Sequence, residues 1–236
     1  MDINGEKFKC GSNWSGFWAL DIDNKEFQEY LSDVFDTVYN KWGFDLVKLD
    51  FLYAAAPKAK KNETRSERMI RGMDYLRSLS KNKLILGCGV PLGAAFGRTE
   101  YCRVSCDVTL DWDDKIWMKI IHGERPSTKR ALETSFYRRM LNKGAFIIDP
   151  DVFFLRRDNI HLSKERKMML ATFDALNKGL FLTSDNPSLY GDEEIEEYKK
   201  LRHIWKDGKI LRVERGEKTV IHYSIDNKEE TLTLHF

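Results

Sequence analysis

Charge of one sign is scarce in this sequence. Its 236 residues carry 39 lysines and arginines against 37 aspartates and glutamates, a net charge of +2. Such a chain presents no basic field to a phosphate backbone, so nucleic acid and other polyanions are not expected partners. Cysteine is also sparse. Cys10, Cys88, Cys102 and Cys106 lack metal-ligand spacing, and Cys88 and Cys106 fall in strand-like runs rather than in loops a disulfide would staple. Reduced thiols in a cytoplasmic protein are the expectation. The five histidines, His122, His161, His203, His222 and His235, show no ligand spacing either, and no serine or cysteine has an evident histidine partner for acyl transfer. Neither a metal nor an organic cofactor is expected. No run approaches the roughly 18 apolar residues of a membrane span, and residues 1–7 contain no apolar leader core. No membrane association is expected, and the sequons at Asn13 and Asn62 read as chance. Low-complexity tracts and short internal repeats are missing as well.

What the sequence does have is a globular composition, 42% hydrophobic and 12% aromatic. Phe27, Tyr30, Leu31, Val34, Phe35, Val38 and Trp42 recur at helical spacing behind a capping pattern at Asp23 and Glu26, and Gly43 closes the helix. Phe44–Phe51 then reads as a buried strand. The alternation repeats: a helix over Arg65–Leu79 before a strand at Lys83–Gly87, Thr128–Leu141 before Ala145–Ile148, and Ser163–Leu176 before Leu180–Thr183. A last helix covers Asp192–Ile204. Strands alternating with helices imply a parallel sheet. Five parallel strands are expected, near residues 46, 85, 104, 147 and 182, with Phe17–Ile22 a candidate sixth. A closed eight-stranded barrel takes about 250 residues. The expected fold is therefore α/β, a partial (β/α)8 barrel of five strand–helix units over residues 1–207. After Gly208, the runs Lys209–Arg215, Thr219–Ile225 and Thr231–Phe236 read as a short antiparallel appendage over residues 208–236.

Two strand ends carry chemistry. Lys48 and Asp50 share one face of their strand, near the carboxyl end where parallel barrels build active sites. Arg103 and Asp107 repeat the cation and carboxylate two units later, on a common face of a strand expected to run through Val108. Alternate strands of a barrel feed the same interior layer. Asp50 and Asp107 are thus candidates to face one another, and two carboxylates about 5–5.5 Å apart are the equipment of a retaining glycosidase. A lysine beside Asp50 suits a carboxylate that must stay ionised as a nucleophile. The bland alternative is a lysine–aspartate pair satisfying itself in a sheet core, which a buried ion pair makes costly.

Trp18-Ala19-Leu20-Asp21, followed by Trp42-Gly43-Phe44-Asp45-Leu46-Val47-Lys48-Leu49-Asp50-Phe51-Leu52-Tyr53, resembles the nucleophile-strand region of retaining α-galactosidases of glycoside hydrolase family 36 and the related family 27. Gly87-Cys88-Gly89-Val90-Pro91-Leu92-Gly93, Arg103 to Val108, Asp149-Pro150-Asp151-Val152-Phe153 and Thr183-Ser184-Asp185 resemble the later strand ends in the same order. The resemblance implies Asp50 as nucleophile and Asp107 as acid/base, with Lys48 and Arg103 binding sugar hydroxyls. It also implies Cys88 lining the pocket and Asp149 or Asp151 supporting it. Trp18 and Asp21 match a stretch ahead of the nucleophile strand and are candidate substrate-binding residues; Trp18 or Trp112 would stack on a sugar face or sit in a core. Ser184-Asp185 is a polar helix entry or a pocket wall. The substrate implied is a small α-galactoside, with no cofactor.

Family members carry a β-rich domain and the first barrel strands ahead of this region. The chain therefore resembles the C-terminal half of the catalytic barrel, and a homo-oligomer or a missing N-terminal half is the expected complement. Two other readings compete. One is an inactive, incomplete barrel or sugar-binding remnant, because missing strands leave an open sheet edge. The other is a nucleotide-binding α/β enzyme suggested by the glycines at 87–93, whose third glycine falls one residue late for the dinucleotide fingerprint. Lys58, Lys60 and Lys61 read as a solvated loop face.

Overall fold

The structure is a computed structural model that describes residues 2–3, 6–11, 15–59, 62–113, 117, 120 and 126–236. The Asn13 sequon, Lys60, Lys61 and His122 lie outside the described residues. The chain divides into two compact units. The first takes in Met1–Arg103 and Ala145–Ile147; the second takes in Val104–Ile120, Arg125–Gly144 and Ile148–Phe236.

In the first unit, β1 (Asp2–Ile3) pairs antiparallel with β2 (Glu6–Lys7), and β3 (Lys9–Cys10) pairs antiparallel with β4 (Phe17–Trp18). Phe17–Ile22 is thus not a further parallel strand: Phe17 and Trp18 close a hairpin, and the chain turns through Asp21, whose carbonyl accepts from the Asn24 N–H. Helix α1 (Lys25–Asp36) starts one residue later than its capping pattern suggested. Asn24 is the N-cap, its Oδ1 accepting from the Phe27 N–H at 2.9 Å. Asp23 pairs instead with Arg68 and Arg71. A five-residue π-helical turn, Thr37–Lys41, ends the helix, and Gly43 at φ +74° redirects the chain into the sheet.

Strands β5 (Leu46–Leu49), β6 (Leu84–Gly87) and β7 (Tyr101–Arg103) are parallel neighbours in that order. Between β5 and β6 runs α2 (Arg65–Ser80), opened by a capping box in which Thr64 and Glu67 satisfy each other's backbone N–H. Its buried face carries Met69 and Met73, and Ile85 and Leu86 of β6 are buried in the same unit. The β6–β7 connection is too short for a full crossover helix and holds a single turn, α3 (Leu92–Ala95).

The second unit holds α4 (Thr128–Arg138), the end of β8 (Ile147–Asp149), β9 (Val152–Phe153), α5 (Lys164–Asn177), β10 (Leu182–Thr183) and α6 (Asp192–Asp207). The strand expected near residue 147 is split in two, because Asp151 sits at φ +86° between β8 and β9. β9 pairs in parallel with β10. β11 (Lys209–Arg215), β12 (Thr219–Ile225) and β13 (Lys228–Leu234) form the expected antiparallel meander. The β12–β13 hairpin turns on Asp226 and Asn227, both at positive φ, as a two-residue loop that follows strand twist requires. One apolar core joins these elements: Leu132 and Phe136 of α4, Leu170 and Phe173 of α5, Leu201 of α6 and Ile221 of β12 are essentially inaccessible. The meander therefore buries its inner face on helices rather than standing alone.

Candidate active site

Two backbone latches build the candidate site of the first unit. Beyond β5 the chain turns at Phe51, which takes a left-handed conformation at φ +52°. The N–H groups of Leu52 and Tyr53 then donate to the carbonyls of Cys88 and Gly89, at 3.2 and 2.9 Å. Gly89 lies at φ +64°, where an added Cβ would come within 3.3 Å of Phe51 Cα, so only glycine lets the two loops approach this closely. The result brings Lys48, Asp50, Cys88 and Arg103 together at the carboxyl ends of three adjacent parallel strands.

Lys48 Nζ is 4.0 Å from Asp50 Oδ2, so the common face expected from strand periodicity is realised. The pair is not the buried ion pair of the bland alternative: the two side chains are 43% and 46% exposed. Asp50 Oδ1 also accepts from the Phe51 N–H at 2.7 Å. The Cys88 thiol hydrogen-bonds the Asp50 carboxylate. Burial first, then that bond to a carboxylate, push the thiol up to about 12, while Arg103 and Lys48 oppose the rise. At neutral pH Cys88 is therefore a protonated donor to Asp50, not a nucleophile. Arg103 is 7% exposed and close enough to act on the thiol electrostatically.

Asp21 and Trp18 are placed differently. Asp21 Oδ1 lies 2.6 Å from Nη2 of Arg68, whose side chain is wholly inaccessible; Arg68 also donates to the Ala55 carbonyl. The carboxylate expected to bind substrate thus neutralises a buried guanidinium. Arg68 itself escaped the sequence reading. Its signal is its place on α2, next to Met69 and one turn before Gly72, on the helix's buried face. Trp18 is exposed on β4. With Lys48 and Asp50 it lines a cavity of about 450 Å³ whose other walls are almost wholly apolar.

In the second unit, β7 has already ended when the chain reaches Asp107. Residues 104–108 form a loop, not the continued strand expected, because Arg103 is the last strand residue. Asp107 is exposed on that loop. Three clamps hold the loop. Val104 donates to the Asp149 carbonyl at 3.1 Å, the Ser105 hydroxyl to the Pro150 carbonyl at 3.1 Å, and the Val108 N–H to Asp151 Oδ2 at 2.6 Å. The fully buried Asp149 in turn accepts from the Asp151 N–H at 2.9 Å. Asp149 and Asp151 therefore act on the loop that carries Asp107. Beside it the Cys106 thiol is raised, chiefly by burial.

Trp112 packs against the second unit's core with the Arg166 guanidinium 4.8 Å from its ring, which is the core reading of that residue. Asp185 is a clamp rather than a helix entry. Its inaccessible carboxylate accepts from the Leu155 and Arg156 N–H groups and the Tyr190 hydroxyl, and Asn186 caps the short turn that follows. Among the described residues no cluster of His, Cys, Asp and Glu is arranged to hold a metal, and no helix is long and apolar enough to cross a membrane.

No protein-family model matches the chain. Among solved structures, an α-galactosidase from Thermus thermophilus in complex with p-nitrophenyl α-D-galactopyranoside is similar. It is 28% identical, with a TM-score of 0.76, over 97% of this chain and 45% of that one. The α-galactosidase I of Mortierella vinacea, 16% identical with a TM-score of 0.61, matches over 86% of this chain and 55% of its own. An α-galactosidase from Saccharomyces cerevisiae is 12% identical with a TM-score of 0.58, over 80% and 48%. The last two show the fold alone. The chain thus has an α-galactosidase-like α/β fold and spans about half the length of the solved enzymes it matches.

Proposed function

We propose that this chain is part of a retaining glycoside hydrolase that releases terminal α-D-galactose from small galactosides by double displacement. The observation that carries the reading is the cluster of Lys48, Asp50, Cys88 and Arg103 at the carboxyl ends of β5, β6 and β7. It sits in a chain similar throughout to a galactoside-binding enzyme. Active sites of parallel barrels are built at those strand ends.

In this mechanism the Asp50 carboxylate attacks the anomeric carbon as the glycosidic bond breaks, giving a covalent galactosyl ester. Asp107 donates the proton that leaves with the aglycone oxygen, then takes one from the water that cleaves the ester. Lys48 and Arg103 bind sugar hydroxyls. The protonated Cys88 thiol and the Phe51 N–H hold the Asp50 carboxylate in one orientation, so its attacking oxygen is positioned before substrate arrives. Asp151, through the Val108 N–H, fixes the loop that presents Asp107. No step needs a metal or an organic cofactor. In this reading residues 1–207 are barrel and 208–236 open a β-domain, in a cytoplasmic protein with reduced thiols.

The test is release of nitrophenol from an aryl α-galactoside by the wild-type protein and by Asp50→Asn. Turnover lost in the variant with the fold intact is the expected result, and equal turnover in both proteins would refute the assignment. A second reading, an inactive sugar-binding remnant, is favoured by the half-exposure of the Lys48–Asp50 pair. It is the outcome if the folded wild type binds galactose without hydrolysing the galactoside.

A further inference from the structure

A second cavity, of about 540 Å³, opens in the first unit and shares no lining residue with the one at Lys48 and Asp50. Its walls come from the loop after β5, the first turns of α2 and the turn α3 that follows β6. It too lies beyond the carboxyl ends of parallel strands, where α/β sheets bind their ligands. Its volume falls within the roughly 300–1,000 Å³ range of small-molecule sites. Tyr53, Met69, Ile70 and Ala94 give it an aromatic and aliphatic surface.

Arg65 is the only charged residue in that lining among the described residues. Its Nε donates to the Ala56 carbonyl at 2.8 Å, which fixes the guanidinium and leaves both terminal nitrogens for other acceptors. Among the described residues no carboxylate pairs with it. A guanidinium on an apolar wall is matched to a carboxylate, which it binds through two parallel N–H···O bonds. One cation suits a monoanion, whereas a phosphate ester would bring a second charge with no partner in the lining. Gly93 adds an independent sign. Its φ lies outside the left-handed region, and an added Cβ would meet no atom within 4 Å, so neither backbone nor packing demands glycine. Glycine inside a helical turn is less favourable than alanine. What its missing side chain supplies here is room in the cavity.

Tyr53 connects this cavity to the turn beside Asp50. Its ring meets the Phe51 ring edge to face, with centroids 6.2 Å apart, and its N–H donates to the Gly89 carbonyl at 2.9 Å. We propose that the cavity binds an arylalkyl monocarboxylate, with its apolar body against Tyr53 and Ile70 and its carboxylate on Arg65. A ligand seated there braces the Tyr53 latch. The site is separate from the cluster at Lys48 and Asp50 and does not depend on the proposed activity.

The experiment titrates the isotope-labelled full chain with phenylbutyrate, with its neutral amide and with butyrate, and follows backbone amide signals and hydrogen exchange. Phenylbutyrate is expected to bind with a Kd on the order of 1 mM, shifting the amides of Tyr53, Arg65, Ile70 and Ala94 and slowing exchange at Tyr53. The amide lacks the charge and butyrate lacks the ring, so each should bind about tenfold more weakly or worse. Arg65→Gln should lose the preference for the acid over the amide. Gly93→Leu, whose new side chain starts in open space, should keep the fold and lose binding about tenfold. The proposal would be overturned by no saturable binding, by equal affinity for acid and amide, or by full affinity in Gly93→Leu. Shifts confined to Trp18 and Leu20 at the other cavity, or displacement by galactose, would overturn it as well. Asp50→Asn should bind phenylbutyrate as the wild type does, which separates failure of this site from failure of the catalytic assignment.

Discussion

Asp21→Asn separates a structural carboxylate from a substrate-binding one. Arg68 has no accessible side-chain surface, and Asp21 Oδ1 lies 2.6 Å from its Nη2 while remaining 14% exposed itself. Removing one partner of a buried ion pair typically costs about 3–5 kcal/mol, because the other charge is left uncompensated. Arg68 keeps the Ala55 carbonyl at 3.0 Å and Asp23 Oδ2 at 3.4 Å, and asparagine keeps an acceptor, so the low end of that range, about 3 kcal/mol, is the expectation here. With a urea slope of about 2 kcal/mol per molar, the unfolding midpoint should fall by roughly 1.5 M. Arg68→Met should cost a similar amount, and the double variant less than the sum of the two singles, since each removes the same pair. Urea unfolding followed by tryptophan fluorescence measures all three. Asp21→Asn that unfolds like wild type but raises KM for an aryl galactoside would refute this reasoning and return Asp21 to the substrate.

Gly89→Ala sets a Cβ 3.3 Å from Phe51 Cα at a positive φ, and should cost about 1–3 kcal/mol in the same assay and lower any turnover by displacing Asp50. A fully stable variant would show that the latch between the two loops is loose. Asp151→Ala removes the acceptor of the Val108 N–H; faster exchange at Val108 is the expected result, and an unchanged rate would deny the loop its clamp. Cys88 gives a pH dependence with a definite sign. Its folded pKa of about 12 stands above the ordinary 9.0, so the folded state holds the proton more tightly. The contribution is complete below pH 9 and is lost as pH rises toward 12. Relative to wild type, Cys88→Ser should flatten the fall in stability across that window, and parallel curves would deny the thiol its role. In folded protein Cys88 should also resist iodoacetamide at pH 8 and react once urea unfolds the chain.

Periodicity alone determined a good deal of this protein. Helical spacing located α1, α2, α5 and α6 to within a few residues, and the two-residue period placed Lys48 and Asp50 on one face. Asp226 and Asn227 marked their hairpin because few other residues accept positive φ at both turn positions. These signals are local: each follows from the conformational preferences of a handful of neighbouring residues. What only the tertiary structure decided depends on groups far apart in the chain. The end of β7 at Arg103, which puts Asp107 on a loop, goes with clamps from Asp149, Pro150 and Asp151, some 45 residues later. The engagement of Asp21 follows from a guanidinium 47 residues away that is inaccessible to solvent. The turn at Phe51, which sets Asp50 against Cys88, is held by carbonyls of the next strand's loop. A buried charge or an orphaned N–H takes whatever partner folding brings within reach, and no spacing along a single segment encodes which partner that is.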